Sequence, residues 1–327
     1  MPALIRLGLL GLIAISCLVV MGRLWIESLR SEPVAITTLT VPAGSTASDV
    51  LKALHPALSA RERSLMFSFY PELTYVQQGK YAFPYHATVL SALEQIHRGD
   101  VIVERVTIPE GITASDLFGR LSAHEALEGE LTLSKGVWTG LSDQWSSHEG
   151  AFLAETYFWQ QDLSKNALLE RAHQALHESL ELAWIHADPA VKAILKSSYE
   201  LLILASIVEK ETALAVERPR IAGVFLERLK RKMRLQTDPT VIYGLGERFD
   251  GNLTRQHLRE KTPYNTYRID GLPPTPIALV GPDALGAVAH PEFTGDLYFV
   301  ADGSGGHVFS RTLEAHNANI RKYQLKR

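Results

Sequence analysis

The sequence predicts an α+β protein in which helices and strands segregate by region, behind one apolar N-terminal span. Hydrophobic residues make up 46% of the 327 and charged ones 21%, enough apolar material for one or two packed units. Helical and strand periodicities occupy separate stretches, with no regular strand–helix–strand alternation. One strand–turn–helix segment occurs twice. The apolar content excludes a disordered or fibrous chain. A net charge of −3 is the wrong sign for a sequence-independent nucleic-acid binder, so no nucleic-acid partner is expected. Cys17 is the sole cysteine, which excludes an intrachain disulfide, a Cys-rich zinc site and an iron–sulfur cluster.

In chain order, the first element is the span. Leu7 to Gly22 carries no charge and is flanked by Arg6 and Arg23. With both arginines reaching toward the interfaces, Ile5 to Trp25 attains the roughly 20 residues a spanning helix needs. A cleavable signal peptide or a lipoprotein processed at Cys17 competes with this reading. Leu18 to Met21 remain apolar after that cysteine, which favours a retained anchor. The expected organisation is a short cytoplasmic tail and transmembrane helix over 1–26, a linker over 27–34, a small α+β unit over 35–104, and a larger α+β domain over 105–327. Arg6 and the amino terminus nearly balance Arg23 and Arg30, so only the shortness of the tail favours that domain on the far side of an inner (plasma) membrane, with membrane lipid as the helix's partner.

The repeat aligns residues 40–50 (TVPAGSTASDV) with 107–117 (TIPEGITASDL), identical or closely similar at nine of eleven positions. Each copy reads as a strand, a Pro/Gly turn and a helix opened by Thr or Ser with Asp in its first turn. Between the copies, Gly79 to Phe83 alternates as a strand. Val89, Leu90, Leu93 and Ile96 then follow at helical spacing and stop at Gly99. Downstream, Ala167–Leu182 and Ala190–Ala215 are helical by period. After Thr237 the chain is rich in Gly, Pro, Tyr and Asn, which predicts loops with short strands such as Leu297–Ala301.

Chemistry concentrates in two places. In residues 201–215 (LLILASIVEKETALA), Leu201, Leu204, Ala205 and Val208 mark a buried stripe that continues onto Glu211 and Thr212. Glu209, two positions earlier, projects roughly 200° away from Glu211 and is expected to face solvent with Lys210. A carboxyl on the packed side has its pKa raised, as a general acid near neutral pH requires. The alternative is a last turn emerging from the core with Glu211 at its rim. The second place is the set of segments 234–244, 263–267 and 271–277, dense in amides, hydroxyls and rings, the groups that bind sugars. His173 and His177 stand four apart on a helix, but the H-E-x-x-H order is absent and no metal site is expected. His290, His307 and His316 read as supporting or structural groups. Gly244-Leu245-Gly246 lacks a dinucleotide loop's third glycine, no G-x-S-x-G elbow occurs, and no cofactor is expected.

Several segments resemble one family. These are LASIVEKET (204–212), RLQTDPTVIYG (234–244), YNTY (264–267), GLPP (271–274), AHP (289–291) and YFVADG (298–303) with Gly306-His307. In residues and order they are similar to the endolytic murein transglycosylases, the YceG-like or MltG family. The likeness runs over nearly the whole chain and includes the anchor and a LysM-like small unit. One departure is Ala154-Glu155, where the family usually has Pro-Asp.

The resemblance implies cleavage of MurNAc–GlcNAc bonds within peptidoglycan strands, leaving 1,6-anhydro-muramyl ends and limiting strand length during wall assembly. It also implies glycan strands, and possible cell-wall synthases, as partners. Its catalytic glutamate matches Glu211, which would protonate the glycosidic oxygen and then accept the muramyl 6-hydroxyl proton. Gln236, Asp238, Tyr243, Tyr264 and Asn265 are candidate substrate-positioning residues. Two rivals stand beside this reading. One is a hydrolase in which Asp238 supplies the second carboxylate, and the other is a wall-binding scaffold without catalysis.

Overall fold

The computed structural model describes residues 13, 16–17, 19–28, 31–125, 127–131, 148–160 and 163–324. Most of the expected anchor, and the cytoplasmic tail, lie outside the described residues. Among those described, no helix is long and apolar enough to cross a membrane. Residues 19–28 are helical, with Ile26 buried and Trp25 packed against the core of the first unit.

The chain divides into two compact units, Met1–Glu104 with Phe158–Asp162, and Arg105–Tyr157 with Leu163–Arg327. In the first, β1 (Thr38–Val41) pairs antiparallel with β2 (Gly79–Ala82), Thr38 opposite Ala82 and Val41 opposite Gly79. Three helices share a core with this ribbon: α1 (Ala47–Leu54), α2 (Ala60–Phe69) and α3 (Val89–Arg98). Each starts at a reciprocal cap, Thr46 with Asp49, Ser59 with Glu62 and Thr88 with Ser91. Such caps contribute about 1 kcal/mol each by pairing amides the helix leaves open. Gly99 ends α3 at φ 74°, the left-handed turn that a side chain disfavours. Tyr81, Met66, Leu93, Ile96 and Leu51 fill the core, and the buried Tyr81 hydroxyl donates to the Gln77 carbonyl at 2.8 Å.

The second unit opens with the other copy of the repeat. β3 (Glu104–Thr107) leads through Gly111 (φ 74°) to the Thr113–Asp116 capping box and α4 (Ala114–Ser122). Ile108 donates its N–H to the Glu155 carbonyl at 2.9 Å, just before β4 (Thr156–Trp159). Ala154 donates its N–H to the Val280 carbonyl at 2.8 Å, a bond that proline in its place could not make.

At the centre lies α6 (Ser198–Glu211), buried at every position from Leu201 to Glu209. Its sequence is apolar all round, and it is sheathed by α5 (Lys165–His186), α7 (Arg218–Lys230) and α9 (Pro282–Ala289). The periodic stretch 190–215 is therefore not one helix. A single turn at Pro189–Lys192 precedes Ser197, whose hydroxyl caps α6 by accepting from the Glu200 N–H.

The region after Thr237 departs further from the loops expected. It contains α8 (Asp238–Leu245), a short helix at Arg255–Arg259, α9 and α10 (Leu313–Tyr323). Pro239 and Pro282 lie in the first turns of α8 and α9, where a missing N–H costs nothing. The strands there are β5 (Tyr298–Ala301) and β6 (His307–Ser310), an antiparallel hairpin with Ala301 opposite His307. Gly223 lets α7 pass beneath the backbone of Glu292, whose carbonyl would lie 2.1 Å from any Cβ there.

Candidate active site

Glu211 is the last residue of α6 and lines a cleft of about 550 Å³ in the second unit. One wall is the turn into α8, with Gln236, Thr237 and Asp238, and the nearby Tyr267. The facing wall comes from the β5–β6 hairpin and α10, with Tyr298, Phe299, His307, His316 and Asn317. Tyr298 stacks on His316 at 5.1 Å between centroids, so the wall combines apolar ring faces with polar edges.

The local sequence fixes the turn opposite Glu211. Gln236 adopts φ 51°, a left-handed conformation rare outside glycine. It is held by its N–H to the Thr266 carbonyl at 3.2 Å. Thr237 donates its backbone N–H to the Thr266 hydroxyl at 3.0 Å, and the Thr240 hydroxyl contacts both the Thr237 carbonyl and the Thr266 hydroxyl at 2.8 Å. Below, the buried Arg228 guanidinium donates to the carbonyls of Leu297 (2.7 Å), Leu235 (2.8 Å) and Arg234 (3.1 Å). It thereby ties the turn to the chain entering the hairpin.

The Thr237 hydroxyl donates to Glu211 Oε1. Burial pushes the Glu211 carboxyl up to about 7, and Asp238 nearby adds to that. The Thr237 hydrogen bond, His307 and Arg228 pull the other way. Although one edge of Glu211 faces the cleft, the surrounding protein withdraws enough water for desolvation to dominate. The group is thus a carboxyl that is substantially protonated at neutral pH and open to a ligand.

Glu209 does not face solvent, contrary to the helical-wheel expectation. Its side chain is 2% exposed and lies 2.6 Å from the Arg218 guanidinium. Its other oxygen accepts the Gly281 N–H at 3.1 Å. Burial raises this carboxyl, opposed by that N–H and by Arg218. The expectation failed because it assumed one buried face, whereas α7 and α9 cover α6 on that side too. Lys210 alone of the pair is exposed, its ammonium donating to the Gly111 carbonyl at 2.9 Å.

The five candidate positioning residues divide. Gln236 and Asp238 line the cleft with Glu211, and Asp238 accepts the Tyr267 hydroxyl at 2.7 Å. Asp238 sits in the first turn of α8. Tyr243 and Tyr264 pack ring to ring at 4.9 Å away from the cleft. Their hydroxyls meet Glu149 Oε2 (3.2 Å) and the Thr275 hydroxyl (2.9 Å). Asn265 is fully buried, its amide donating to the carbonyls of His257 (3.1 Å), Leu258 (3.3 Å) and Glu260 (2.7 Å). Its oxygen accepts the Tyr267 N–H at 3.0 Å, so it supports the residue that binds Asp238.

Sequence reasoning missed Thr237, Arg228, Tyr267 and His307 as parts of the cleft. His307 and His316, read from the sequence as supporting or structural groups, lie on its wall. Thr237 sits between two residues that were singled out, and His307 ends one of the resembling segments, so both carried a signal. Arg228 carried none. His173 instead meets the Ala151 carbonyl at 2.8 Å, and no metal-sized cluster of His, Cys, Asp or Glu occurs among the described residues.

The model of the YceG-like family matches residues 39–322. A protein of Bacillus subtilis (strain 168) named endolytic murein transglycosylase is 46% identical over 127 residues, 39% of this chain and 35% of that protein. A protein of the same name from Streptococcus pneumoniae (strain ATCC BAA-255 / R6) is 26% identical over 324 residues, 88% of this chain and 58% of that protein. The chain thus spans between about a third and three fifths of the length of these curated relatives. The crystal structure of a putative yceG-like protein from Listeria monocytogenes aligns with a TM-score of 0.54 at 29% identity, covering 86% of this chain and 98% of that one.

Proposed function

Because the chain belongs to the YceG-like family, we propose that it is a peptidoglycan lytic transglycosylase that cuts MurNAc–GlcNAc bonds within glycan strands. The observation that carries this reading is Glu211, a carboxyl held near a pKa of about 7 in an open cleft walled by amides, hydroxyls and rings. The names of the relatives from B. subtilis and S. pneumoniae support it. Glu211 donates its proton to the glycosidic oxygen as the C1–O bond breaks. The muramyl 6-hydroxyl oxygen then closes on C1, forming the 1,6-anhydro ring. The carboxylate left behind is one acceptor for the hydroxyl proton.

A hydrolase instead needs a second carboxylate, to activate water or form a covalent intermediate. Asp238 is the neighbour in the cleft, and its engagement by the Tyr267 hydroxyl at 2.7 Å speaks for a positioning role. Digestion of glycan strands in ¹⁸O-labelled water, read by mass spectrometry, separates the two. Unlabelled 1,6-anhydro ends are expected, and labelled reducing ends would overturn the transglycosylase reading.

The uncharged run between Arg6 and Arg23 supports a single-pass anchor in the plasma membrane, with the catalytic unit on the periplasmic side. In that setting the small first unit is a LysM-like module that meets the wall, and the enzyme limits the length of new strands beside the synthases that extend them.

A further inference from the structure

His307 is held in a way that the single-carboxyl mechanism does not use. Its Nδ1 lies 2.8 Å from Glu217 Oε2, and its backbone N–H donates to Glu217 Oε1 at 2.9 Å. The same Glu217 carboxylate accepts the Thr212 hydroxyl at 3.4 Å, on the residue that follows Glu211. Phe299 and Phe309 flank the imidazole with ring centroids at 5.3 and 6.5 Å. An ionised carboxylate can only accept, so the shared proton belongs on Nδ1. In the neutral imidazole that leaves the Nε2 lone pair. Among the described residues Nε2 meets no hydrogen-bond partner, and the ring lines the same cleft as Glu211.

We propose that His307, oriented by Glu217, is the base that receives the muramyl 6-hydroxyl proton, so that the two proton transfers fall to two residues. The proposal rests on the transglycosylase reading and refines it. A 1,6-anhydro ring closes on the face of the sugar from which the leaving oxygen departs, so acid and base must stand on the same side of the substrate. Glu211 and His307 share one cleft, as that requires. In the step, the C1–O bond breaks and the leaving oxygen takes the Glu211 proton. The O6–C1 bond forms, and the O6 proton passes to His307 Nε2. Transfer of that proton from the imidazolium to the Glu211 carboxylate, directly or through water, restores both groups. Glu211 Oε1 is already engaged by Thr237, which leaves one oxygen for the substrate. A separate base removes the demand that this oxygen serve both partners.

The test uses the full chain on purified glycan strands. His307→Ala should lower kcat by about 10²–10³-fold with KM within about threefold, since a positioned proton acceptor typically contributes 10²–10⁴-fold. Added imidazole should restore turnover, and a series of substituted imidazoles should restore it more as their basicity rises. A merely structural histidine would give no such slope. His307→Gln covers the case in which alanine does not fold, and should lose a similar factor. Loss below about threefold, absence of rescue in a folded variant, or equal rescue by all imidazoles would overturn the proposal. Wild-type enzyme that forms no anhydro ends would instead overturn the transglycosylase reading, whatever the variants do.

Discussion

The Glu209 carboxylate and the Arg218 guanidinium meet at 2.6 Å inside the protein, two residues before the carboxyl that ends the same helix. Their side chains are 2% and 6% exposed, and Arg218 also reaches Glu110 at 2.8 Å. Breaking a buried pair costs about 3–5 kcal/mol, and the low end applies here because Glu110 still engages Arg218. Glutamine keeps the acceptor for Gly281, so Glu209→Gln should lose about 3 kcal/mol in urea unfolding. The folded fraction should still turn over within about tenfold of wild type and give the same product. Unchanged stability would mean that the pair is not a structural clasp.

Glu211→Gln should do the opposite. The amide fits the same space without the proton to donate, so stability at neutral pH should be equal or higher while kcat falls by at least about 10³-fold. Thermal melting and product analysis on one preparation check both halves. Equal loss of turnover in Glu209→Gln and Glu211→Gln, with folding intact, would remove the distinction between the two glutamates.

That distinction was only half legible in the sequence. Glu211 could be read because an apolar run delivers it to the end of a core helix, and helix periodicity is local. The environment of Glu209 depends on Arg218 and Gly281, which the fold alone brings there. The same division holds elsewhere. The capping boxes at Thr46–Asp49 and Thr113–Asp116 span three residues each and were visible in the repeat. Thr237 finds Glu211 across 26 residues and Glu217 finds His307 across 90, beyond any periodic signal. Pro239 and Pro282 misled for a different reason. Proline punctuates loops and also opens helices, and only the packing of Val241 and Leu285 decides which.

The raised Glu211 carboxyl also makes stability depend on pH. Its folded value of about 7 lies above the ordinary 4.5, so the folded state binds this proton more tightly than the unfolded chain. Its contribution is therefore fully present below about 4.5 and is lost as pH rises through about 7. With one edge of the group facing the cleft, the loss amounts to roughly 2–3 kcal/mol. Urea midpoints of wild type and Glu211→Gln, compared from pH 4.5 to 8.5, should separate progressively over that window. A constant difference would show that the carboxyl is not desolvated.

Topology follows from the charge-free run. If Leu7–Gly22 is a retained span, protease added to spheroplasts should digest the chain from about residue 27 onward, while an N-terminal tag stays protected. A protected C-terminal unit would reverse the orientation. A mature chain beginning at Cys17 would replace the anchor by a lipid.

The Thr237 hydroxyl supplies the last test, because it acts on the proton of Glu211 and on little else. Thr237 precedes α8 at its cap position, yet its side chain makes no capping bond there. Valine in its place keeps the shape and the backbone N–H to Thr266. What Thr237→Val removes is the hydrogen bond that favours the ionised carboxylate. The Glu211 pKa should then rise beyond about 7. The alkaline limb of the pH–kcat profile, where the acid loses its proton, should move to higher pH in step. Turnover at pH 6 should fall by no more than about tenfold, since the acid is still present and only its orientation loosens. A limb that stays in place or moves to lower pH, in a variant that melts like wild type, would show that Thr237 does not tune this carboxyl.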